Sequence, residues 1–316
     1  MPAGRMALEP LRFATSFVGR AQEVDELVEA VKRDRFVTLI GMGGIGKTRL
    51  ADAAARRLSD AFDDGTYFIE LATTADTEPA VVSTLLTALE IDTAGFSTGT
   101  AALVAHLRHR HVLLVLDNFE AVTTAADLVG RVYLECPRLH LLITSQRPLN
   151  IDGEHIRRTE PMETAAVGGW AAFANLDAYK LFRERANARV AGWQPKSPAE
   201  EAVVIDILRL TEGIPLSIEL AAAWVDGRTL TEIRAGLTDR LALLTRRRAN
   251  SVGRHHSTQA CLDYSFGLLP SNARELLPKL SVLPVVGSRR MHKRSAKRMM
   301  HRHCWLLYTN AICWYG

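Results

Sequence analysis

Four short runs of apolar residues mark the first half of the chain, and stretches with helical spacing separate them. The apolar runs are RFVTLI (35–40), GTYFIEL (65–71), HVLLVLD (111–117) and LHLLITS (139–145). Between them lie the helix-like stretches TRLADAAARRL (48–58), EPAVVSTLLTALEI (78–91) and TAALVAHLRHR (100–110). Near-continuous apolar strands that alternate with helices are typical of a parallel sheet covered on both faces. The pattern therefore predicts an α/β fold.

The second half of the chain lacks such runs. From about Leu176, helical stretches ended by glycine or turn residues follow one another, over 176–190, 198–213, 214–227 and 230–244. A helical domain is therefore predicted to follow the α/β domain. An exposed connector is predicted over 246–258, and two further helices broken at Pro270 are predicted over 258–283.

The composition is that of a globular chain with room for two or three domains: 316 residues, 47% hydrophobic and 23% charged. No apolar run approaches the roughly 18 to 20 residues of a membrane span, and the first residues, MPAGRMALEPLRF, mix charge and proline where a secretory signal is apolar. We expect a cytoplasmic protein without a membrane partner. The four cysteines form no C-x-x-C pair and are predicted to be reduced thiols, buried or in the tail: Cys136, Cys261, Cys304 and Cys313.

The formal charge of +4 arises at the carboxyl end. Seven of the 39 Lys and Arg lie after residue 288, whereas the last acid is Glu275, so 32 basic residues face 35 acids in the rest. One interpretation of the tail 284–316 is a basic arm that binds nucleic acid. The other, which we favour, is an atypical product of truncation or of read-through in another frame, because the composition changes abruptly.

A glycine-rich loop follows the first apolar run. GMGGIGKT matches the pattern G-x-x-x-x-G-K-T and lies between a predicted strand and a predicted helix. The glycines let backbone N–H groups wrap closely around phosphates, while Lys47 supplies a charge to the β- and γ-phosphates and Thr48 a hydroxyl to Mg²⁺. The candidate nucleotide-binding residues of this segment are Gly41, Gly43, Gly44, Ile45, Gly46, Lys47, Thr48 and Arg49.

An acidic residue ends the third apolar run. Asp117 is placed where a carboxylate can hold the Mg²⁺ shell, so Thr48 and Asp117 are the candidate metal ligands. Asn118 follows where many hydrolysing P-loop proteins carry a second acid. An amide can orient a water molecule but cannot accept its proton, which indicates slow turnover. Glu120 is an alternative base, although we expect it to be a solvated loop residue.

Five motifs in this order resemble those of the STAND class of signal-transducing NTPases, specifically the NB-ARC-like ATPase module of bacterial LuxR-type and related transcriptional regulators. They are FVGRAQE (17–23), GMGGIGKT (41–48), LLVLDNFE (113–120), LLITSQRPL (141–149) and EGIPLSIELAAAW (212–224). The resemblance implies an ATP/ADP switch in which ADP holds a closed form. Exchange for ATP opens it, permitting self-association or release of an output or sensor domain.

The resemblance also implies roles for residues outside the loop. Val18 and Arg20 match a motif that lies on the adenine and ribose side, and Pro215 matches a proline that packs on the base. Arg147 corresponds, displaced by one position, to an arginine that contacts the γ-phosphate. Lys47, Asp117, Asn118 and Arg147 are accordingly the candidate catalytic residues.

The implied architecture is an α/β P-loop NTPase followed by a helical domain and a partial winged-helix segment. Its predicted bounds are an N-terminal extension 1–16, a nucleotide-binding domain 17–160, a helical domain 161–250, a winged-helix segment 251–283 and the tail 284–316. The favoured function is a regulatory switch with slow ATP hydrolysis. The alternatives are a conventional P-loop enzyme such as a small-molecule kinase, and a DNA-binding protein that uses the tail.

Overall fold

A computed structural model describes the backbone of residues 13–247 and the side chains of residues 13–239. Within it, five parallel strands form one sheet in the order β2-β3-β4-β1-β5. The strands are β1 (Phe36–Ile40), β2 (Thr66–Glu70), β3 (Leu113–Asp117), β4 (His140–Ser145) and β5 (His155–Arg158). The predicted parallel α/β fold is confirmed, and the loops after β1, β3 and β4 leave the same edge of the sheet.

Ten α-helices lie in the described part of the chain. Those of the α/β domain are α1 (Ala21–Arg33), α2 (Lys47–Leu58), α3 (Glu78–Ala88), α4 (Gly99–Leu107) and α5 (Ala126–Glu135). Those of the helical domain are α6 (Gly169–Phe173), α7 (Asp177–Asn187), α8 (Pro198–Leu210), α9 (Pro215–Ala222) and α10 (Leu230–Arg247). The predicted connector was expected to start at 246, but α10 continues to Arg247. None of these helices is long and apolar enough to cross a membrane.

Helices cover both faces of the sheet, because every residue of β1 and β3 is buried and neighbouring residues point to opposite faces. On one face, Phe36 and Leu114 pack with α3, α4 and α5, and buried Cys136 belongs to this cluster. On the other, Val37 and Leu113 pack with α1 and α2. The prediction of a buried thiol is confirmed for Cys136.

The edge strand β5 was absent from the predicted elements. Its sequence, HIRR, has no apolar run, and His155, Ile156 and Arg158 are exposed. Pairing with β1 alone defines this strand, through contacts such as Val37 with His155. An edge strand that buries little surface gives no hydrophobic signal, so only the folded sheet reveals it.

The helical domain has a separate core in which α7 packs on α9 and α8 packs on α10. The chain reaches it through the segment after β5, where the Met162 N–H donates to the Gly213 carbonyl oxygen at 2.8 Å. Gly213 has a φ of +68°, and a Cβ there would lie 1.9 Å from the Met162 oxygen. Only glycine fits this crossing of two backbones. The predicted winged-helix segment and basic tail lie outside the described residues.

Candidate functional site

The glycine-rich loop joins β1 to α2 and turns the chain through two left-handed residues. Gly44 has a φ of +76° and Gly46 a φ of +94°, conformations that glycine adopts without a steric penalty. Gly46 directly precedes α2, so the free N–H groups of the first helical turn face the loop. By contrast, a Cβ on Gly43 would meet nothing within 4 Å. The loop therefore has the geometry of an anion cradle.

Lys47, the first residue of α2, is 7% exposed, and its ammonium group lies inside this loop. Its Nζ donates to the carbonyl oxygens of Gly41 at 2.9 Å and Met42 at 3.2 Å. Burial lowers the pKa of Lys47, while the charges of Glu120 and Asp117 oppose that shift. The loop thus holds a desolvated cation, which favours an anionic ligand.

Two hydroxyl groups converge on the carboxylate that ends β3. Thr48 Oγ1 donates to Asp117 Oδ1 at 2.9 Å, and Thr144 Oγ1 donates to the same oxygen at 2.5 Å. The Asn118 N–H in turn donates to Thr144 Oγ1 at 3.0 Å. Thr144 therefore positions the Asp117 carboxylate and the start of the following turn, a role that sequence reasoning did not assign to it.

The predicted Mg²⁺ ligands fit that ion chemically. Thr48 and Asp117 present hard oxygen atoms 2.9 Å apart beside the loop. Mg²⁺ is commonly held by one or two protein oxygens together with substrate phosphates and water, not by a complete protein cage. The described residues contain no group of three or more His, Cys, Asp or Glu able to hold a metal ion.

The turn after β3 explains the asparagine at position 118. Asn118 is left-handed, with φ 58° and ψ 43°, and Asn is one of the few residues with a side chain that adopts this conformation readily. It precedes a one-turn helix, Phe119–Ala121. Glu120 on this turn is half-buried, and its Oε2 is shielded from solvent without a hydrogen-bond partner. The expectation of a solvated glutamate was therefore wrong.

Arg147 follows β4 at the same edge of the sheet, but its side chain is exposed. Its backbone N–H donates to Ser145 Oγ at 3.2 Å, which shapes the turn. Its guanidinium makes no hydrogen bond or ion pair with any described residue. The predicted contact of Arg147 with a γ-phosphate remains a prediction.

Arg20 is buried beside the loop, where it joins both domains. Its Nη2 donates to the Glu160 carbonyl oxygen at 2.8 Å, and its backbone N–H donates to Asp177 Oδ2 on α7 at 2.7 Å. Nε and Nη1 are shielded from solvent without a hydrogen-bond acceptor in the described residues, although Glu23 lies 3.5 Å from Nη1. Burial lowers the pKa of Arg20 despite the opposing charge of Glu23. Val18 packs against the core of the helical domain.

The first turn of α9 lies directly on the glycine-rich loop. The Leu216 N–H donates to the Gly44 carbonyl oxygen at 3.1 Å. A Cβ on Gly44 would lie 2.9 Å from Leu216 Cβ, and one on Gly46 would lie 3.8 Å from Pro215 Cγ. Pro215 therefore lies at the loop, while Leu216, which was not among the candidates, makes the closer contact.

Arg49 lies near the loop in the chain, but its guanidinium has other partners. It donates to the carbonyl oxygens of Thr15 at 2.7 Å and Ser16 at 2.6 Å. Its Nη1 also lies 3.4 Å from Glu219 Oε1, to which Arg185 donates at 2.9 Å. The structure thus places the Arg49 side chain in a contact between the N-terminal segment, α2 and α9, and the predicted role of Arg49 in nucleotide binding remains a prediction.

Comparison with known proteins agrees with this geometry. A family model described as novel STAND NTPase 1 matches residues 11–135. An uncharacterized protein of Mycobacterium tuberculosis is 33% identical over 273 residues, which are 86% of this chain and 66% of that protein. A candidate HTH-type transcriptional regulator of the same organism is 34% identical over 257 residues, 81% of this chain and 27% of the regulator.

Among solved structures, the chain is similar to a STAND protein with a tetratricopeptide repeat sensor from Pyrococcus horikoshii. That similarity has a TM-score of 0.44 and 16% identity, and covers 84% of this chain and 40% of the other. The chain thus spans less than two thirds of the length of the proteins named above. The family model thus assigns residues 11–135, which include the glycine-rich loop, to the STAND class of P-loop NTPases, and the left-handed glycines of that loop agree with the assignment.

Proposed function

We propose that this chain is the ATP/ADP-dependent switch module of a longer regulatory protein, in which the bound nucleotide sets how the helical domain contacts the phosphate-binding loop. The bond from Leu216 to Gly44 carries the proposal. A ligand that reshapes the loop must alter this bond or work against it. The helical domain therefore senses the loop directly.

The nucleotide is expected to bind with its phosphates in the loop 41–46. Lys47 would exchange its present bonds to loop carbonyls for bonds to phosphate oxygens. Arg20, whose Nη1 would lie 4.0 Å from a Cβ on Gly46, would contribute a second positive charge beside the loop. Thr48 and Asp117 would hold Mg²⁺, which when bound neutralises charge on the phosphates. Hydrogen bonds from a buried ammonium group to phosphate oxygens are stronger than its present bonds to neutral carbonyl oxygens, which favours phosphate binding.

We further propose that hydrolysis is slow and times the lifetime of one state. The helical domain is bonded to the loop, so product release requires these contacts to separate. Turnover well below the roughly 10 s⁻¹ typical of enzymes is expected. The regulatory name of one relative supports this role over that of a metabolic enzyme.

Mass spectrometry of the nucleotide that co-purifies with the native chain is the first test, and ADP is the expected result. Hydrogen exchange of residues 213–222 should then be measured with ADP and with a non-hydrolysable ATP analogue. Faster exchange with the analogue is expected. Identical exchange in both nucleotides, or turnover of several per second without a partner, would contradict the switch.

A further inference from the structure

We propose that Glu120 is the catalytic carboxylate that activates water for ATP hydrolysis, displaced by two residues from Asn118. This inference rests on the proposed ATP hydrolysis and names the residue that performs its chemical step. The adjacent position carries an amide because the chain turns there through a left-handed residue. The next acidic side chain in the sequence, Glu120, therefore lies two residues later, in the one-turn helix Phe119–Ala121.

The turn holds Glu120 in a defined place. Phe119 is 1% exposed and belongs to the core, and the Ala121 N–H donates to the Asn118 carbonyl oxygen at 3.0 Å. On the other side, the Asn118 N–H is bonded to Thr144 Oγ1. Glu120 is thus fixed between a buried aromatic ring and the network that orients Asp117.

The Glu120 carboxylate lies near enough to Lys47 for its charge to act on that ammonium group. Its charge opposes the burial effect on the Lys47 pKa more strongly than the charge of Asp117 does. Its Oε2 is shielded without a donor among the described residues. A buried carboxylate oxygen without a hydrogen bond is energetically unfavourable, so a ligand that donates a hydrogen bond to it is favoured. A water molecule between Glu120 and the γ-phosphate has the required chemistry.

The proposed step is a displacement at phosphorus. The water oxygen forms a bond to the γ-phosphorus, while the bond from that phosphorus to the bridging oxygen breaks and its electron pair stays on the β-phosphate of ADP. Glu120 accepts one proton from the water and later releases it to solvent. Because the acceptor is a carboxylate and not an amide, Glu120 supplies what Asn118 lacks.

Glu120→Gln in the full chain tests the assignment. The variant keeps the length and shape of the side chain, but its amide cannot accept the proton. We expect the dissociation constants of MgATP and MgADP, measured by calorimetry, to change by less than about twofold. The single-turnover rate of ATP hydrolysis should fall by about 100-fold or more, the usual size of general-base assistance. Glu120→Asp should retain part of the rate.

Glu29→Gln is the matched control, because Glu29 is an exposed acid on α1. It should leave both affinity and rate unchanged. An unchanged rate in Glu120→Gln would overturn the assignment, as would equal losses of affinity and rate, which would make Glu120 a partner of Lys47. A parent chain that binds nucleotide without hydrolysing it would overturn the Glu120 role alone. Failure of the parent to bind adenine nucleotide would overturn the proposed switch as well.

Discussion

The Leu216 N–H donates to the Gly44 carbonyl oxygen across 3.1 Å, so the helical domain is bonded to the loop that receives the phosphates. The two residues belong to different domains and are distant in the chain. The Leu216 side chain also leaves no room beside Gly44, because a Cβ built on Gly44 would lie 2.9 Å from Leu216 Cβ. Any residue other than glycine at position 44 must therefore displace α9.

Gly44→Ala is expected to loosen this contact before any nucleotide is added. A φ of +76° is unfavourable for alanine by roughly 1–2 kcal/mol, and the methyl group would also meet Leu216. The melting temperature should fall by about 3 °C or more, and residues 214–218 should exchange amide hydrogens faster. Gly43→Ala is the control, because its Cβ has open space. Equal stability of the two variants would contradict the close contact.

Lys47→Ala should weaken nucleotide binding. The substitution removes a charge-assisted contact of roughly 1.5–3 kcal/mol, which corresponds to a loss of about ten- to a hundredfold in affinity. Calorimetric titration with MgADP measures this change. Lys32→Ala, at an exposed ion pair on α1, should bind normally. Unchanged ADP affinity in Lys47→Ala would refute the assignment of the loop.

Glu219→Gln should destabilise the contact between the domains. The Glu219 carboxylate serves both Arg49 and Arg185, whose side chains are only 14% and 11% exposed. Without it, two shielded guanidinium groups face each other, and we expect a loss of about 1–3 kcal/mol in the free energy of unfolding. Glu78→Gln, which breaks a surface pair with Arg131, should cost less than about 1 kcal/mol. Denaturant unfolding compares the two, and similar losses would argue against a shared carboxylate.

Position 118 should tolerate only residues that adopt a left-handed conformation. Asn118→Gly is expected to preserve stability, whereas Asn118→Val should lower it by about 1–2 kcal/mol or more, because φ is 58°. Thermal unfolding measures both. Asn118→Asp retains the conformational tolerance, so a change of hydrolysis rate in that variant would report on chemistry and not on folding. Full stability of Asn118→Val would show that the turn does not select the residue.

Cys136 should be unreactive in the native chain. Burial raises the pKa of its thiol to about 11, so the nucleophilic thiolate is scarce at neutral pH. Peptide mapping after treatment with iodoacetamide at pH 8 should show Cys136 modified only in denaturant. Because the folded state holds the proton more tightly, this thiol contributes stability that is present below pH 9 and is lost as the pH rises towards about 11. Rapid modification under native conditions would contradict this burial.

The amino-acid sequence by itself determined the elements that have a strong local signal. Four of the strands, and the helices α2, α3 and α4 between them, follow from apolar runs and helical spacing, since burial on both sheet faces demands consecutive apolar residues. Helices α1 and α5 were not among the predicted elements. The strand β5 gave no such signal, because it is an exposed edge that only pairing with β1 defines.

Some residues of the candidate site could likewise be predicted from the sequence, and others only from the structure. The loop residues and Asp117 could be predicted because they lie in short, contiguous sequence motifs. Other features depend on residues brought together from distant parts of the chain. These are the hydrogen bond from Thr144 that positions Asp117, the bond from the Arg20 N–H to Asp177 and the bond from the Leu216 N–H to the Gly44 carbonyl oxygen. No local pattern encodes such contacts.

Side-chain direction was decided by tertiary packing alone. Arg49 follows the loop motif directly, yet contacts with Thr15, Ser16 and Glu219 hold it elsewhere. From the sequence we expected Glu120 to be solvated. In the structure, the left-handed turn at Asn118 and the buried Phe119 hold it half-buried. The spacing of residues in the sequence identifies which chemical groups a site can use. The backbone dihedral angles and the packing around them decide which groups meet.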